Sequence, residues 1–394
     1  VRVLFIPFPS PPHLFFMTPL AWACRAAGHE VRVAGHPHLT ETTLRTGLSP
    51  VEVGGDGAGR RRHGPAVTQA GLARTSGDER HRLLDRRFAP MVDLAGEMAP
   101  GLVRFADRWQ PQIVVADSLA FAAPLVSAAL GIPLLRHLTG PDVMHRTIYP
   151  MHGPTTGDEY SPNWPEGLRE LFEEFGVATH NDHSLGSIDP WPGSIQVPDA
   201  HARIPVRHIP YHGAAPSPEW AWGRAGRPRV CLSWGEPGDA ARAAQSPALP
   251  RILDALARRD VEVVVTGSGI DRDRLGALPE TVRVAGDVPA DVVLPTCDAV
   301  VSEGGTHTIL TAAALGVPQV LVPLVERPPN AATFCESGAG ITLDAGGADP
   351  AAVGRAVDAV LGDERIRAAA RRIQDEIAEA PSPVELVHTL EKLA

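Results

Sequence analysis

The first seven residues, Val1-Arg2-Val3-Leu4-Phe5-Ile6-Pro7, form a short apolar run of the kind that fills a buried strand. Residues 18–28 then show a helical pattern that Gly28 stops, and Glu30–Ala34 reads as a second strand. Strand, helix and strand in this order predict a βαβ unit and a parallel, doubly wound sheet. The rhythm returns with a strand at Gln112–Ala116, a helix at 118–130 closed by Gly131, and a strand at Pro133–His137. Between about 205 and 228 apolar periodicity disappears. There Tyr211-His212-Gly213-Ala214-Ala215-Pro216-Ser217-Pro218 reads as an interdomain linker.

A second series begins with the strand Arg229–Ser233. It runs through a helix at 249–258, strands at Val261–Thr266, Val282–Ala285 and Ala299–Val301, a helix at 307–315 and a strand at Gln319–Pro323. The economical reading is a second doubly wound sheet. The stretches 54–88 and 151–190 fit neither period and are expected to be long surface loops. From Pro381 to Ala394 the chain predicts a helix started by proline, with an apolar stripe of Val384, Leu386, Val387 and Leu390.

Composition narrows the partners. The length of 394 residues suits two domains of roughly 200 each, and 38 Gly with 39 Pro are too many for a helical bundle. With 36 Lys and Arg against 46 Asp and Glu, the formal charge of −10 repels nucleic acid and anionic membrane alike. Cys24, Cys231, Cys297 and Cys335 include no CxxC pair, so reduced, packed thiols are expected rather than disulfides or zinc. The opening apolar run is too short to span a membrane and has no signal-peptide cleavage site. A cytoplasmic protein lacking only its initiator Met is the expectation.

Candidate chemistry concentrates where strands end. In Asp298-Ala-Val-Val-Ser302-Glu303-Gly304-Gly305-Thr306-His307-Thr308 a strand meets a glycine turn and a helix start. Amides from Gly305 to Thr308 would point out of that helix, where the macrodipole favours a phosphate; a tight turn with no ligand is the competing reading. Glu326 and Arg327 stand just past a strand end, and Gly267-Ser268-Gly269 comes after another. His13 comes after the first strand, and an imidazole with an ordinary pKa of about 6.5 suits a general base. Asp117 directly succeeds Gln112–Ala116 and either orients that imidazole or caps the next helix. His180, Asp182 and His183 read as a polar loop rather than a metal site, and Arg60-Arg61-Arg62 as a solvated charge run.

The glycine turn with Gly316-Val317-Pro318-Gln319 and Asn330-Ala331 resembles the donor motif of GT-B nucleotide-sugar glycosyltransferases, especially actinobacterial enzymes that decorate polyketide antibiotics. Their usual form is His-His-Gly-Gly-Ala-Gly-Thr, then Gly-Val-Pro-Gln, then Asp-Gln and Asn-Ala. Here Ser302 and Glu303 replace the two histidines, His307 replaces the third glycine, and Glu326-Arg327 replaces Asp-Gln. Pro12-His13, Pro19-Leu20-Ala21-Trp22-Ala23, Ala26-Ala27-Gly28-His29-Glu30-Val31, Trp109-Gln110-Pro111-Gln112-Ile113, Leu138-Thr139-Gly140-Pro141-Asp142, Ile188-Asp189-Pro190-Trp191-Pro192 and Tyr211-His212-Gly213 are similar to further family landmarks, in the family's order.

The resemblance implies the GT-B fold, two Rossmann-like domains facing each other across a cleft. It implies an acceptor-binding domain at 1–205, a linker at 206–228, a donor-binding domain at 229–380 and a final helix, 381–394, returning to the first domain. The implied activity is inverting transfer of a deoxysugar from a nucleoside diphosphate, in particular dTDP, to a hydrophobic polyketide-type acceptor. His13 would be the base and Asp117 its partner. Ser233, Gly235, Val288, Ser302, Gly304, Gly305, Thr306, His307, Thr308, Glu326 and Arg327 would bind the donor, with no metal and no cofactor. The shorter, neutral Ser302 is expected to weaken donor affinity unless His307 or Arg327 compensates. The resemblance is compatible with a homodimer and with an auxiliary protein like a cytochrome P450. Two other classes remain open: a nucleotide-sugar epimerase of the same fold and a catalytically silent partner protein.

Overall fold

The structure is a computed structural model that describes residues 1–55, 75, 77–143, 164–177, 183–198, 200, 202–224, 226–235, 248–267, 270, 275–286, 288–323, 329–344 and 349–394. The chain divides into two units. One comprises Val1–Pro190, Val197–Val206 and Pro381–Ala394, and the other Trp191–Gln196 and Arg207–Ala380.

The first unit runs β1 (Arg2–Ile6), α1 (Pro11–Ala26), β2 (Glu30–Gly35), α2 (Thr40–Arg45), β3 (Pro50–Glu52), α3 (Gly77–Trp109), β4 (Ile113–Asp117), α4 (Ala122–Leu130), β5 (Leu134–His137), α5 (Glu166–Glu174), β6 (Ser184–Asp189) and β7 (Arg203–Pro205). Its strands pair in parallel in the order β3-β2-β1-β4-β5-β6-β7. Central β1 and β4 carry apolar side chains on both faces because helices cover both faces, as all-parallel sheets require. The order reverses direction between β1 and β4, and ligands of open α/β sheets bind at such a point, outside the strand carboxyl ends.

The second unit runs β8 (Arg229–Ser233), α6 (Ala248–Ala257), β9 (Glu262–Thr266), β10 (Val282–Gly286), α7 (Ala290–Val293), β11 (Ala299–Ser302), α8 (Thr306–Ala314), β12 (Gln319–Leu321), α9 (Pro329–Glu336), β13 (Gly340–Thr342), α10 (Pro350–Gly362) and α11 (Glu364–Glu379). Its parallel order, β10-β9-β8-β11-β12-β13, reverses between β8 and β11. A final helix, α12 (Pro383–Leu393), belongs to the first unit, where Leu386, Val387 and Leu390 share a core with Leu14, Met17, Leu20 and Cys24 of α1.

Several expectations change. The helix expected at 18–28 starts earlier, at Pro11, and ends at Ala26. Pro11 and Pro12 fill the first two helical positions, where a missing N–H leaves nothing unpaired, and Pro19 is accommodated inside the helix. The loop expected at 54–88 is helical from Gly77 onward: a charge run hides Leu84 and Phe88, which begin a buried stripe continued by Ala95, Met98 and Leu102. The loop expected at 151–190 contains α5 and β6, and Leu168 and Phe172 of α5 are buried against α3. The segment read as a linker, 206–228, belongs to the second unit from Arg207 onward and buries His208 and Ala221; Trp191–Gln196 joins the same unit. In α12, Val384 is exposed and Pro383 takes its place in the stripe, at three, four and seven residues before Leu386, Val387 and Leu390. Ser382 and Glu385 form a capping box at its start.

Candidate active site

In the first unit, β1 and β4 are neighbours in register, with Ile6 opposite Ala116, so the segment leaving β1 meets the carboxyl end of β4. His13, in the first turn of α1 rather than in a loop, places Nδ1 2.7 Å from Oδ2 of Asp117. Asp117 is the last residue of β4, and its other oxygen accepts the Leu119 N–H at 2.8 Å. The helix-capping alternative is thereby corrected in detail: α4 has Phe121 at its N-cap, while Asp117 closes the preceding turn and holds His13 as well. A carboxylate can only accept, so Nδ1 of His13 carries a proton, and in the neutral ring the lone pair lies on Nε2. Asp117 is fully buried, whereas the His13 side chain keeps 23% of its surface exposed, enough to meet a solute. His137 lies beside Asp117 in register on β5, and burial pushes its pKa down to about 4, so it adds no competing positive charge at neutral pH.

A small apolar recess of about 10 Å³, partly open to solvent, lies at the same strand end, lined by Phe8, Met91, Leu94, Met98 and Phe121 among others. The Phe8 ring also packs 5.2 Å from the His13 ring. The recess is far smaller than the roughly 300–1,000 Å³ of a typical ligand pocket, so it is an indentation in an apolar surface and not a formed pocket. A wider recess beside Trp220, Arg229 and Arg283 lies at the amino ends of β8–β10, the edge away from that at which such sheets bind ligands.

In the second unit, the segments after β8 and β11 meet at the other switch point. Gly304 has φ +88°, which an L side chain rarely adopts, and Asn330 of α9 donates its amide N–H to the Gly304 carbonyl. Ser302 is fully buried, with Oγ accepting the Gly304 N–H at 3.2 Å, so it shapes the turn from behind. Glu303 Oε1 accepts the Gly235 N–H at 3.0 Å and links the two segments. Gly305 is the N-cap of α8, and the amides of Thr306, His307 and Thr308 occupy its first turn. Gln319 anchors the same helix by donating to the Ile309 carbonyl at 2.9 Å. Gly267 must be glycine, because a Cβ would stand 1.9 Å from the Trp234 carbonyl oxygen; Thr266 Oγ1 donates to the Val288 carbonyl at 2.7 Å.

His307 departs from expectation. Its ring is buried and lies flat on His212, with centroids 3.8 Å apart and planes 8° from parallel, and this packing accounts for a histidine in a turn position. His208 and Thr311 carried no legible sequence signal, and Tyr211-His212-Gly213 was legible only as a family landmark, since the segment 207–213 and α8 meet only in the fold. Ser268, Gly269, Glu326, Arg327, His180, Asp182 and Arg60–Arg62 lie outside the described residues. Among the described residues no cluster of metal-ligating side chains occurs and no helix is long and apolar enough to cross a membrane. The cysteines are all free thiols, and only Cys335 is not fully buried.

The family models described as Erythromycin biosynthesis protein CIII-like match residues 22–235 with the N-terminal domain and 250–393 with the C-terminal domain. The chain is 32% identical over 415 residues to the 10-deoxymethynolide desosaminyltransferase of Streptomyces venezuelae, covering 100% of this chain and 97% of the relative. It is 33% identical over 418 residues to the TDP-daunosamine transferase DnrS of Streptomyces peucetius, covering 100% and 97%. Among solved structures, spinosyn rhamnosyltransferase SpnG complexed with thymidine diphosphate matches with a TM-score of 0.82 and 30% identity, over 99% of this chain and 100% of that one. Glycosyltransferase VinC in complex with dTDP matches with the same score and identity, over 100% and 99%. Both family models, these full-length relatives and the two parallel sheets lead to one conclusion: the chain belongs to the Erythromycin biosynthesis protein CIII-like family and is a glycosyltransferase of GT-B fold.

Proposed function

We propose that this enzyme moves a deoxysugar from a dTDP donor to a hydroxyl of a hydrophobic polyketide-type acceptor, with inversion at the anomeric carbon. The observation that carries the reading is the 2.7 Å contact between His13 Nδ1 and Asp117 Oδ2. With Nδ1–H donated to the carboxylate, Nε2 takes the acceptor proton as the hydroxyl oxygen attacks C1 of the sugar. The bond from C1 to the diphosphate breaks in the same step, through an oxocarbenium-like transition state, and the nucleoside diphosphate leaves with the electron pair. Asp117 stabilises the imidazolium that forms.

On the donor side, the first-turn amides of α8 and the turn at Gly304 and Gly305 bind the diphosphate and stabilise its growing charge. Ser233, Gly235, Val288, Thr306 and Thr308 line the same binding region, and family resemblance adds Glu326 and Arg327 beside the sugar. The helix dipole supplies the positive potential a divalent ion provides elsewhere, so the reaction runs without metal. The names of the relatives, transferases of amino and deoxy sugars, and the thymidine diphosphate in SpnG and VinC support this donor class. The apolar side chains of Phe8, Met91, Leu94 and Phe121 at the strand end that carries His13 support a hydrophobic acceptor.

The test incubates the chain with dTDP-deoxysugars and a panel of polyketide aglycones in the presence of EDTA, tracking products by mass spectrometry and their anomeric configuration by NMR. A glycosylated aglycone of inverted configuration supports the proposal. An altered nucleotide sugar formed without any acceptor would instead reveal an epimerase. Activity that appears only when a P450-like protein is added would identify an auxiliary partner.

A further inference from the structure

Three histidines from two distant stretches of chain are packed together behind the first turn of α8. His307 stacks on His212 at 3.8 Å and 8°, and His208 meets His307 edge-on at 5.9 Å and 82°. One turn further along α8, the buried Thr311 hydroxyl lies 2.9 Å from Nε2 of His212 and 3.2 Å from Nε2 of His208. The backbone N–H of His212 donates to Asp291 of α7 at 3.1 Å. We infer that His212 is a positioning residue for donor binding, holding the first turn of α8 in place through its ring stack on His307. The inference rests on the reading that this turn binds the donor diphosphate.

Geometry favours this role over simple filling of space. His307 is the second residue of α8, so the direction of its side chain is coupled to the backbone whose amides face the ligand. A parallel ring contact at van der Waals distance fixes both position and tilt, which aliphatic packing leaves looser. The hydroxyl of Thr311 donates once and accepts, so it satisfies both Nε2 atoms when His208 and His212 are neutral and of opposite tautomers. Burial pushes the His212 pKa down to about 3, which keeps His212 neutral at working pH. The segment 207–213 has no helix or strand of its own; its contacts with α8 and α7, together with the bond from Arg207 to the Ala380 carbonyl at 3.2 Å, help to hold it where His212 meets His307.

The experiment measures the dTDP dissociation constant, donor KM and kcat for wild type, His212→Ala, His212→Phe, His212→Asn, His307→Ala and the double alanine variant. His212→Ala and His307→Ala are each expected to raise the dissociation constant and KM about tenfold, equivalent to about 1.4 kcal/mol, with a much smaller change in kcat. The double variant should be no weaker than either single one, because both remove the same stack. His212→Phe keeps a ring on His307 and should restore binding to within about threefold of wild type; His212→Asn keeps a hydrogen bond to Thr311 and should not. Rescue by Asn but not Phe, additive single effects, or a fall in kcat with unchanged KM would overturn the inference. Failure of wild type itself to bind dTDP would overturn the donor reading and the inference together, whereas wild-type binding that His212→Ala leaves unchanged would overturn the inference alone.

Discussion

His13 and Asp117 are 104 residues apart in sequence, yet their side chains meet because β1 and β4 are adjacent parallel strands whose carboxyl ends share one edge. Both sheets reverse their strand order at the place where the candidate chemistry sits: β1 and β4 for the proposed base, β8 and β11 for the proposed diphosphate turn. The recurrence is a consequence of topology, since helices leave opposite faces of the sheet there and open a crevice.

The first prediction concerns the turn itself. Gly304→Ala forces a side chain onto φ +88°, and Asn330→Ala leaves the buried Gly304 carbonyl without its amide donor. Each should lower stability by about 1–3 kcal/mol and weaken dTDP binding together, as read by urea unfolding and calorimetry. Stability loss with unchanged binding would separate the turn from the donor.

A second prediction concerns the residues that replace the family histidines. Glu303→Gln keeps an acceptor for the Gly235 N–H but removes a negative charge beside the proposed diphosphate. Binding of dTDP should tighten severalfold at low salt, with the gain shrinking as salt is added. Ser302→His, in contrast, must enlarge a fully buried side chain and should destabilise the fold by about 1–3 kcal/mol instead of improving the site. Calorimetry in two salt concentrations, with a melting curve for each variant, checks both statements.

The two sheets were legible in the sequence because buried strands such as Val3–Ile6 and Val263–Val265 are continuous apolar runs bounded by turn residues. His13 and Asp117 were legible as residues next to strand ends, and their contact is a result of parallel pairing. What stayed hidden had specific causes. Three prolines masked the length of α1, and the charge run at 78–87 masked the start of α3. The stack of His212 on His307 depends on two stretches meeting in space, which no local pattern encodes. The burial of Ser302 comes from its place at the end of a central strand paired on both sides, with its hydroxyl turned back onto the Gly304 N–H.

A third prediction tests the last helix. Leu390 is fully buried against α1, so Leu390→Ala should cost about 2–5 kcal/mol in chemical denaturation, while Val384→Ala, on the exposed side, should change stability by less than about 0.5 kcal/mol. Equal losses for the two would contradict the packing described.

Acid stability provides a fourth. Burial lowers His137 to about 4 and His212 to about 3 from an ordinary 6.5, so between those values and 6.5 the unfolded chain binds more protons than the folded one. Their contribution to stability is therefore fully present above pH 6.5 and declines as pH falls, until about 4 for His137 and about 3 for His212. In His212→Phe the fall in unfolding free energy between pH 6.5 and 4 should be shallower than in wild type. Parallel curves for the two proteins would show that His212 does not titrate in this way.

The most direct measurement is the turnover of His13→Ala with donor and acceptor both saturating, accompanied by its dTDP dissociation constant. Loss of a general base predicts a fall in kcat of about 100-fold or more with donor binding nearly unchanged, and Asp117→Asn should fall less because the imidazole remains. Turnover of His13→Ala within about threefold of wild type, a far smaller loss than removal of a general base causes, would show that this histidine is not the base.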